Sequence, residues 1–143
     1  MDSDGYEGLS GFRFALRRFL AASEAINQSA GVTQQQYQAL LAIKTWPGQA
    51  MTMRDLADQL LLTHHAAVQL VDRLARADLA LRSPSMDDGR SVILNLSARG
   101  ETILDELVAR HLAEILRQEP LLTRSLARLR RMKPRLQPAL END

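Results

Sequence analysis

The sequence predicts a mainly α-helical fold with one small β-hairpin, and three observations lead to this class. Hydrophobic residues make up 45% of the 143-residue chain, whereas aromatic residues make up only 4%. Leu and Ala are frequent, and both favour helices over strands. Apolar residues recur at helical spacing along most of the chain, while two short β-prone runs lie together between residues 79 and 96.

Bulk properties exclude several classes of protein. A chain of 143 residues is expected to form one domain with a single core. The net charge of +1 argues neither for nor against nucleic acid, and the lack of cysteine excludes disulfides and thiolate metal sites. No apolar run approaches the ~18 residues of a membrane span, and residues 1–10 do not resemble a signal peptide. A cytoplasmic location without a membrane partner is therefore expected.

The amino-terminal part of the chain predicts one long helix. Residues 1–8 are polar and contain glycine, so they are expected to be frayed. From Leu9 to about Ala30, apolar residues recur at helical spacing. Gly31 ends this first helix because glycine adopts the left-handed cap conformation easily.

A second, shorter helix follows. Thr33 can cap its start, with Gln36 as the reciprocal partner of a capping box. The helix is expected to stop before Trp46-Pro47-Gly48, because the residue ahead of a proline is pushed out of the α region. Met51 is expected to form a minimal strand.

The next segment predicts two helices joined by a tight turn. Residues 53–60 form a third helix, capped by Thr52 with Asp55 three residues on. The break Leu61-Leu62-Thr63 separates it from a fourth helix that runs from His64 to about Asp78. This is the helix-turn-helix arrangement, in which the second helix enters the major groove of DNA.

A hairpin follows the fourth helix directly. The runs LALRS (79–83) and SVILNL (91–96) are β-prone, and the turn-rich residues 84–90 join them. Gly89 supplies a positive φ at little cost. Together with the helix-turn-helix, the hairpin predicts a winged helix-turn-helix.

The carboxyl-terminal part predicts two more helices. Ser97 caps a fifth helix that continues to about Gln118, and Pro120 suits the first turn of a separate sixth helix. Pro134 and Pro138 are expected to kink or end that sixth helix, because each removes a backbone donor.

The terminal helices predict a homodimer. Each carries an apolar stripe too extensive to face water alone. We therefore expect residues 9–30 and 98–140 to be dimerisation helices flanking a DNA-binding lobe of residues 33–97. The alternative is that these helices pack only within the monomer.

The fourth helix has the composition of a recognition helix. At 100° per residue, Ala67, Leu70, Val71 and Leu74 share one face, and the opposite face centres on His65, Gln69 and Arg76. Gln can bind adenine bidentately, an apolar side chain can meet a thymine methyl, and the helix start favours phosphate. The alternative is an ordinary solvated face.

The outward face and the hairpin tip supply the candidate DNA contacts. Asp72 would repel phosphate, so it is expected to pair with Arg73 or Arg76. Arg90 at the tip could enter an A·T-rich minor groove, with Asp88 holding it in place; the alternative is a solvated surface ion pair. The predicted DNA-binding residues are Thr63, His64, His65, Val68, Gln69, Arg73, Arg76, Asp88 and Arg90.

Four short motifs in order resemble the MarR family of bacterial transcription regulators. They are Leu56-Ala57, Leu70-Val71-Asp72-Arg73-Leu74, Asp88-Gly89-Arg90 and Leu96-Ser97-Ala98-Arg99-Gly100. The resemblance implies a two-fold dimer, built from the terminal helices, that binds a pseudo-palindromic operator in double-stranded DNA. It also implies a repressor released by a small, often aromatic, ligand. Two features depart from the family pattern, namely Leu61 in place of the usual glycine and the prolines in the last helix.

Motifs for catalysis and metal binding are missing from the sequence. It holds no Gly-rich phosphate loop, no H-E-x-x-H and no cysteine nucleophile, so neither an enzyme nor a cofactor is expected. His64 and His65 are adjacent and point about 100° apart on a helix, so they cannot chelate one metal ion together. A second function stays open, a winged-helix module for protein assembly without DNA binding.

The family resemblance also implies an effector pocket between the dimer helices and the DNA-binding lobe. Aromatic residues could form its walls, and basic residues could anchor a carboxylate. Tyr37 and Trp46 suit the protein core equally well. The candidate ligand-binding residues are Phe12, Arg13, Arg17, Tyr37, Trp46 and His111.

Overall fold

A computed structural model describes residues 1–85 and 91–135. These residues form five α-helices and one two-stranded antiparallel sheet, which confirms the predicted fold class. The elements in chain order are α1 (Ser3–Ser29), α2 (Gln34–Thr45), α3 (Met53–Leu60), α4 (His64–Arg76), β1 (Ala80–Pro84), β2 (Val92–Leu96) and α5 (Ala98–Arg131).

The chain divides into two compact units. Residues 1–25 and 110–143 make up the first, called here the helical unit. Residues 26–109 make up the second, called here the winged unit. Among the described residues, no helix combines the length and the apolar character needed to cross a membrane.

In the helical unit, α1 and α5 run antiparallel. The Ser23 hydroxyl lies 2.7 Å from His111 Nε2, and at the other end Arg128 donates to Glu7 at 2.9 Å. Gly8 is buried because the side chains of Leu129 and Met132 lie over it. The end of α1 thus lies beside the first half of α5, and the start of α1 lies beside the end of α5.

The prediction that residues 1–8 are frayed is wrong, since α1 begins at Ser3. The Asp2 carboxylate accepts a hydrogen bond from the Gly5 N–H at 3.1 Å and so caps the helix start. Arg135 also donates to Asp2 at 2.8 Å, from more than 130 residues away in the chain. This ion pair joins residues that are far apart in the sequence, so local composition does not reveal it.

The prediction of a separate sixth helix is also wrong, because α5 continues through Pro120. An internal proline removes one backbone donor, which can kink a helix without ending it. Glu119 accepts from Thr123 across the proline at 2.8 Å, and the Pro120 carbonyl accepts from Arg124 Nε at 3.2 Å. The helix ends at Arg131, close to Pro134, where the sequence predicts a kink or an end, and residues 133–135 form one further helical turn that includes Pro134; Pro138 lies outside the described residues.

Both predicted capping boxes are present in the winged unit. Thr33 accepts from the Gln36 N–H, and Gln36 accepts from the Thr33 N–H. Thr52 and Asp55 exchange the same pair of bonds at the start of α3. Each box satisfies two helix-end N–H groups that would otherwise lack partners. A short 3₁₀ turn, Pro47–Gln49, follows the predicted end of α2.

The core of the winged unit forms around α4. The four residues of the predicted apolar stripe, Ala67, Leu70, Val71 and Leu74, are at most 1% exposed. Leu70, Val71 and Leu74 lie in one cluster with buried residues of the other elements of this unit, among them Leu40, Met51, Leu56, Leu94 and Leu104. The helix ends at Arg76, two residues earlier than predicted, and Asp78 has a left-handed φ of 56°.

The hairpin pairs Ala80 with Leu96 at its base and Pro84 with Val92 at the far end of the described register. A single bridge between Thr52 and Ile93 adds a third, minimal strand. The predicted strand at Met51 therefore appears one residue later, although the Met51 carbonyl accepts from the Leu94 N–H at 2.8 Å.

The turn after α3 keeps left-handed geometry without glycine. Leu61 has φ 56° and ψ 42°, and its side chain is 92% exposed. The neighbouring Leu62 N–H donates to the Ala57 carbonyl at 2.8 Å, which closes the helix end. The substitution of leucine for the usual glycine thus leaves the turn intact, at the cost of a strained residue.

We expect Leu61→Gly to stabilise the protein by about 1 kcal/mol. A left-handed conformation costs a residue with a Cβ roughly 1–2 kcal/mol, and the larger entropy of glycine in the unfolded chain offsets part of the gain. Thermal and urea unfolding would measure the change. Leu62→Gly is the matched control and should destabilise, because Leu62 packs against the core. Destabilisation by Leu61→Gly would contradict this account.

Gly100 lies where α5 passes the root of the hairpin. A Cβ at this position would lie 2.0 Å from the Leu79 carbonyl oxygen, a backbone atom that cannot move aside alone. The Gly100 N–H also donates to the Ser97 hydroxyl at 2.9 Å, which confirms the predicted cap of α5. The glycine is therefore required by close packing.

We expect Gly100→Ala to destabilise the protein by about 1–3 kcal/mol, because the methyl group forces the helix away from the hairpin. Gly11→Ala is the matched control, since Gly11 is also helical and has no atom within 4 Å of a built Cβ. That control should stabilise by about 0.5–1 kcal/mol. Equal unfolding midpoints for the two variants would show that the contact at Gly100 relaxes without cost.

Candidate nucleic-acid interface

The predicted recognition face is exposed on α4. Thr63 caps the helix by accepting from the Ala66 N–H at 3.1 Å. The buried stripe fixes the rotation of the helix, so His65, Gln69 and Arg76 face solvent on the opposite side. His64 and Arg73 are also exposed, and Val68 is half-buried. Donors, acceptors and one apolar side chain are therefore presented together, as direct reading of base edges requires.

The pairing predicted for Asp72 is wrong. Its carboxylate pairs with the guanidinium of Arg82 on β1, and neither Arg73 nor Arg76 takes that place. Arg76 instead donates through Nε to the Asp72 backbone carbonyl at 3.3 Å. The chain turns back after α4, so strand β1 lies beside the helix and brings Arg82 within reach.

Arg82 was not among the residues predicted to form the interface. Its distance of ten residues from Asp72 does not correspond to a helical spacing, so periodicity gives no indication of the pair. The one feature of the sequence that points to Arg82 is the short connection between α4 and β1, because it places the strand next to the helix. Arg73 is exposed and forms no ion pair with any described residue.

Two contacts fix the root of the hairpin to the end of α4. The Ser97 hydroxyl donates to the Asp78 carbonyl at 2.6 Å. Arg99 donates to the Ala77 carbonyl, a group that the end of a helix leaves without an intrahelical partner. Because these bonds join backbone to the start of α5, the strands leave α4 in a defined direction.

The hairpin tip itself is not described. Asp88 and Arg90, the predicted wing contacts, lie outside the described residues. The Ser85 N–H donates to the Ser91 carbonyl at 2.8 Å, so the two chain segments are still hydrogen-bonded at the last described residues on either side of the tip. The predicted roles of Asp88 and Arg90 stay predictions.

The six candidate ligand-binding residues are divided between the two units. Tyr37 and Trp46 pack against the core of the winged unit, and burial raises the pKa of the Tyr37 hydroxyl. In the helical unit, His111 is buried against Ser23. Arg17 lines a broad groove of about 610 Å³ in the same unit. Phe12 is half-buried and Arg13 is exposed, both in that unit. A common pocket for all six stays a prediction.

Among the described residues, no group of three or more His, Cys, Asp or Glu side chains is placed so that it could hold a metal ion. His64 and His65 are both exposed on the first turn of α4 and belong to the candidate DNA-binding face.

Sequence comparison agrees with this geometry. The MarR family model matches residues 30–91, which cover α2, α3, α4 and the hairpin up to the start of β2. The resemblance to the MarR family is confirmed. Members of this family are transcription regulators and not enzymes. A comparison with curated proteins gave no significant match.

Solved structures share the fold over most of the chain. AbsC, a MarR family transcriptional regulator from Streptomyces coelicolor, has 21% identity and a TM-score of 0.76, over 99% of this chain and 95% of AbsC. MepR from S. aureus in complex with DNA has 19% identity and a TM-score of 0.63, over 92% and 96% of the two chains. CouR from Rhodococcus jostii RHA1 bound to p-coumaroyl-CoA has 23% identity and a TM-score of 0.64, over 70% and 69%. These likenesses identify the winged-helix fold.

Proposed function

We propose that this protein is a dimeric, sequence-specific DNA-binding transcription regulator that acts as a repressor. The observation that carries the proposal is the outward face of α4, where Gln69, Arg73 and Arg76 are exposed beside a hairpin. The DNA complex of MepR, a protein of the same fold, supports the use of this architecture on DNA.

The roles along α4 follow from side-chain chemistry. Gln69 and His65 read base edges, since a Gln amide offers the donor and acceptor pair that adenine presents in the major groove. Arg73 and Arg76 contact phosphates. Thr63 and His64 lie at the helix start, where the helix dipole and free N–H groups attract phosphate. Val68 meets a thymine methyl, and Arg90, held by Asp88, enters the adjacent minor groove.

Dimerisation takes place through the helical unit. Large apolar side chains on α1 and α5 are unusually exposed in this unit, and a monomer would leave them in water. Such a surface is typical of a subunit interface, and a two-fold dimer matches a pseudo-palindromic operator. The exposed apolar residues are Tyr6, Leu9, Phe14, Leu16, Leu20, Leu112, Ile115, Leu116 and Leu126.

Release from DNA follows the binding of a small ligand. CouR carries p-coumaroyl-CoA on the same fold, which supports a ligand-responsive regulator. The candidate residues are an aromatic set and a basic set: Phe12, Tyr37 and Trp46 with Arg13, Arg17 and His111. The location is the cytoplasm, where chromosomal DNA and small effectors meet.

We expect Gln69→Ala and Arg73→Ala to weaken DNA binding in different ways. Loss of a base contact should cost about 1–3 kcal/mol on the specific site and almost nothing on unrelated DNA. Loss of a phosphate contact should weaken binding on every duplex and reduce the salt slope by about one ion. The measurement is a salt titration with a duplex selected from a randomised pool and with a scrambled duplex.

Arg110→Ala is the matched control for Arg73→Ala, since Arg110 is an exposed arginine of the helical unit. It should leave both duplex affinities unchanged. Parallel losses for Gln69→Ala and Arg73→Ala on both duplexes would show that α4 does not read bases. Failure of the unaltered protein to bind any selected duplex would favour an assembly module instead.

We expect light scattering at micromolar concentration to give twice the 16.0 kDa chain mass. Leu116→Glu should shift the protein towards monomer, because Leu116 is 73% exposed within the apolar surface of the helical unit. Leu61→Glu is the matched control, since Leu61 is 92% exposed in the winged unit, and it should stay dimeric. A monomeric unaltered protein would refute the dimer.

A further inference from the structure

The ion pair between Asp72 and Arg82 lies at the edge of the candidate DNA-binding face. Asp72 is the one acidic residue of α4, and it lies three positions after Gln69 and directly before Arg73. The side chains of Asp72 and Arg82 are 46% and 35% exposed. Both are therefore open to solvent, and an approaching phosphate could compete for the arginine.

Stability gives only a weak reason for this pair. An exposed ion pair contributes about 0–1 kcal/mol, because solvent screens the attraction and the side chains lose freedom. The hairpin root is already joined to the end of α4 by Ser97 and Arg99. An acidic side chain on a face that meets DNA also opposes binding by repelling phosphate. The pair is therefore better explained by its effect on DNA binding.

We propose that Asp72 masks Arg82 from DNA phosphate and so lowers the sequence-independent part of the DNA affinity. Phosphate contacts supply nearly all of nonspecific binding, whereas base contacts supply the discrimination. A masked arginine thus reduces attraction to unrelated DNA while the base-reading residues of α4 keep their contacts. The inference rests on the proposed function, in which α4 binds DNA.

The test is Asp72→Asn, which removes the negative charge with little change in side-chain shape. Release of Arg82 should add one phosphate contact, which steepens the salt slope by about 0.9. At 0.15 M salt this corresponds to about fivefold tighter binding to a scrambled duplex. Glu106→Gln is the matched control, because it removes the same charge from an exposed position on α5, and its salt slope should not change.

Arg82→Gln completes a double-mutant cycle. Alone it should remove no phosphate contact and so should not make the salt slope shallower, because the masked arginine contacts no phosphate. In the Arg82→Gln background, Asp72→Asn should tighten binding much less and should not steepen the salt slope, because no arginine remains to be released and only the repulsion of phosphate by Asp72 is removed. Asp72→Ser provides the same test if the asparagine variant does not fold.

Three results would contradict the proposal that Asp72 masks Arg82 from phosphate. Equal tightening by Asp72→Asn with and without Arg82 would mean that Asp72 acts by direct repulsion of phosphate. Weaker binding by Asp72→Asn would mean that Asp72 positions Arg82 for a DNA contact. An unchanged salt slope for Asp72→Asn would mean that the loss of Asp72 releases no arginine to bind phosphate. Each of these leaves the proposed function standing, whereas failure of the unaltered protein to bind any duplex would refute both.

Discussion

Burial of the apolar stripe of α4 is the constraint on which the rest of the winged unit depends. Leu70, Val71 and Leu74 are removed from water almost completely. Each such side chain contributes about 1.5–3 kcal/mol on burial. Since side chains on a helix are spaced by 100°, fixing this stripe also fixes the opposite face. Gln69 and Arg76 point outward because their neighbours are buried.

The hairpin and α5 depend on the same helix through a few close contacts. Gly100 allows the start of α5 to approach the Leu79 carbonyl, and no larger residue fits there without a shift. Ser97 and Arg99 satisfy carbonyl groups just beyond the end of α4. The direction of the strands is therefore set by contacts to backbone groups at the root of the hairpin.

The arginines of the candidate interface differ in the partners of their guanidinium groups. Arg73 is exposed without an ion-pair partner among the described residues, Arg76 donates to a backbone carbonyl, and Arg82 is bound by Asp72. Only an arginine with a free guanidinium gains the full benefit of a phosphate contact. Counting basic residues thus overstates the attraction of this face for DNA, and the pairing of each one decides its contribution.

The sequence by itself determined the features that depend on near neighbours. The capping boxes at Thr33 and Thr52 and the stripe of α4 follow from residues three or four positions apart, so periodicity predicts them correctly. The tertiary structure alone decided the features that depend on distant residues. Asp2 pairs with Arg135 at the other end of the chain, and the partner of Asp72 is set by the fold-back of β1. Local patterns carry no information on which distant side chain lies within reach, because that depends on how the elements pack.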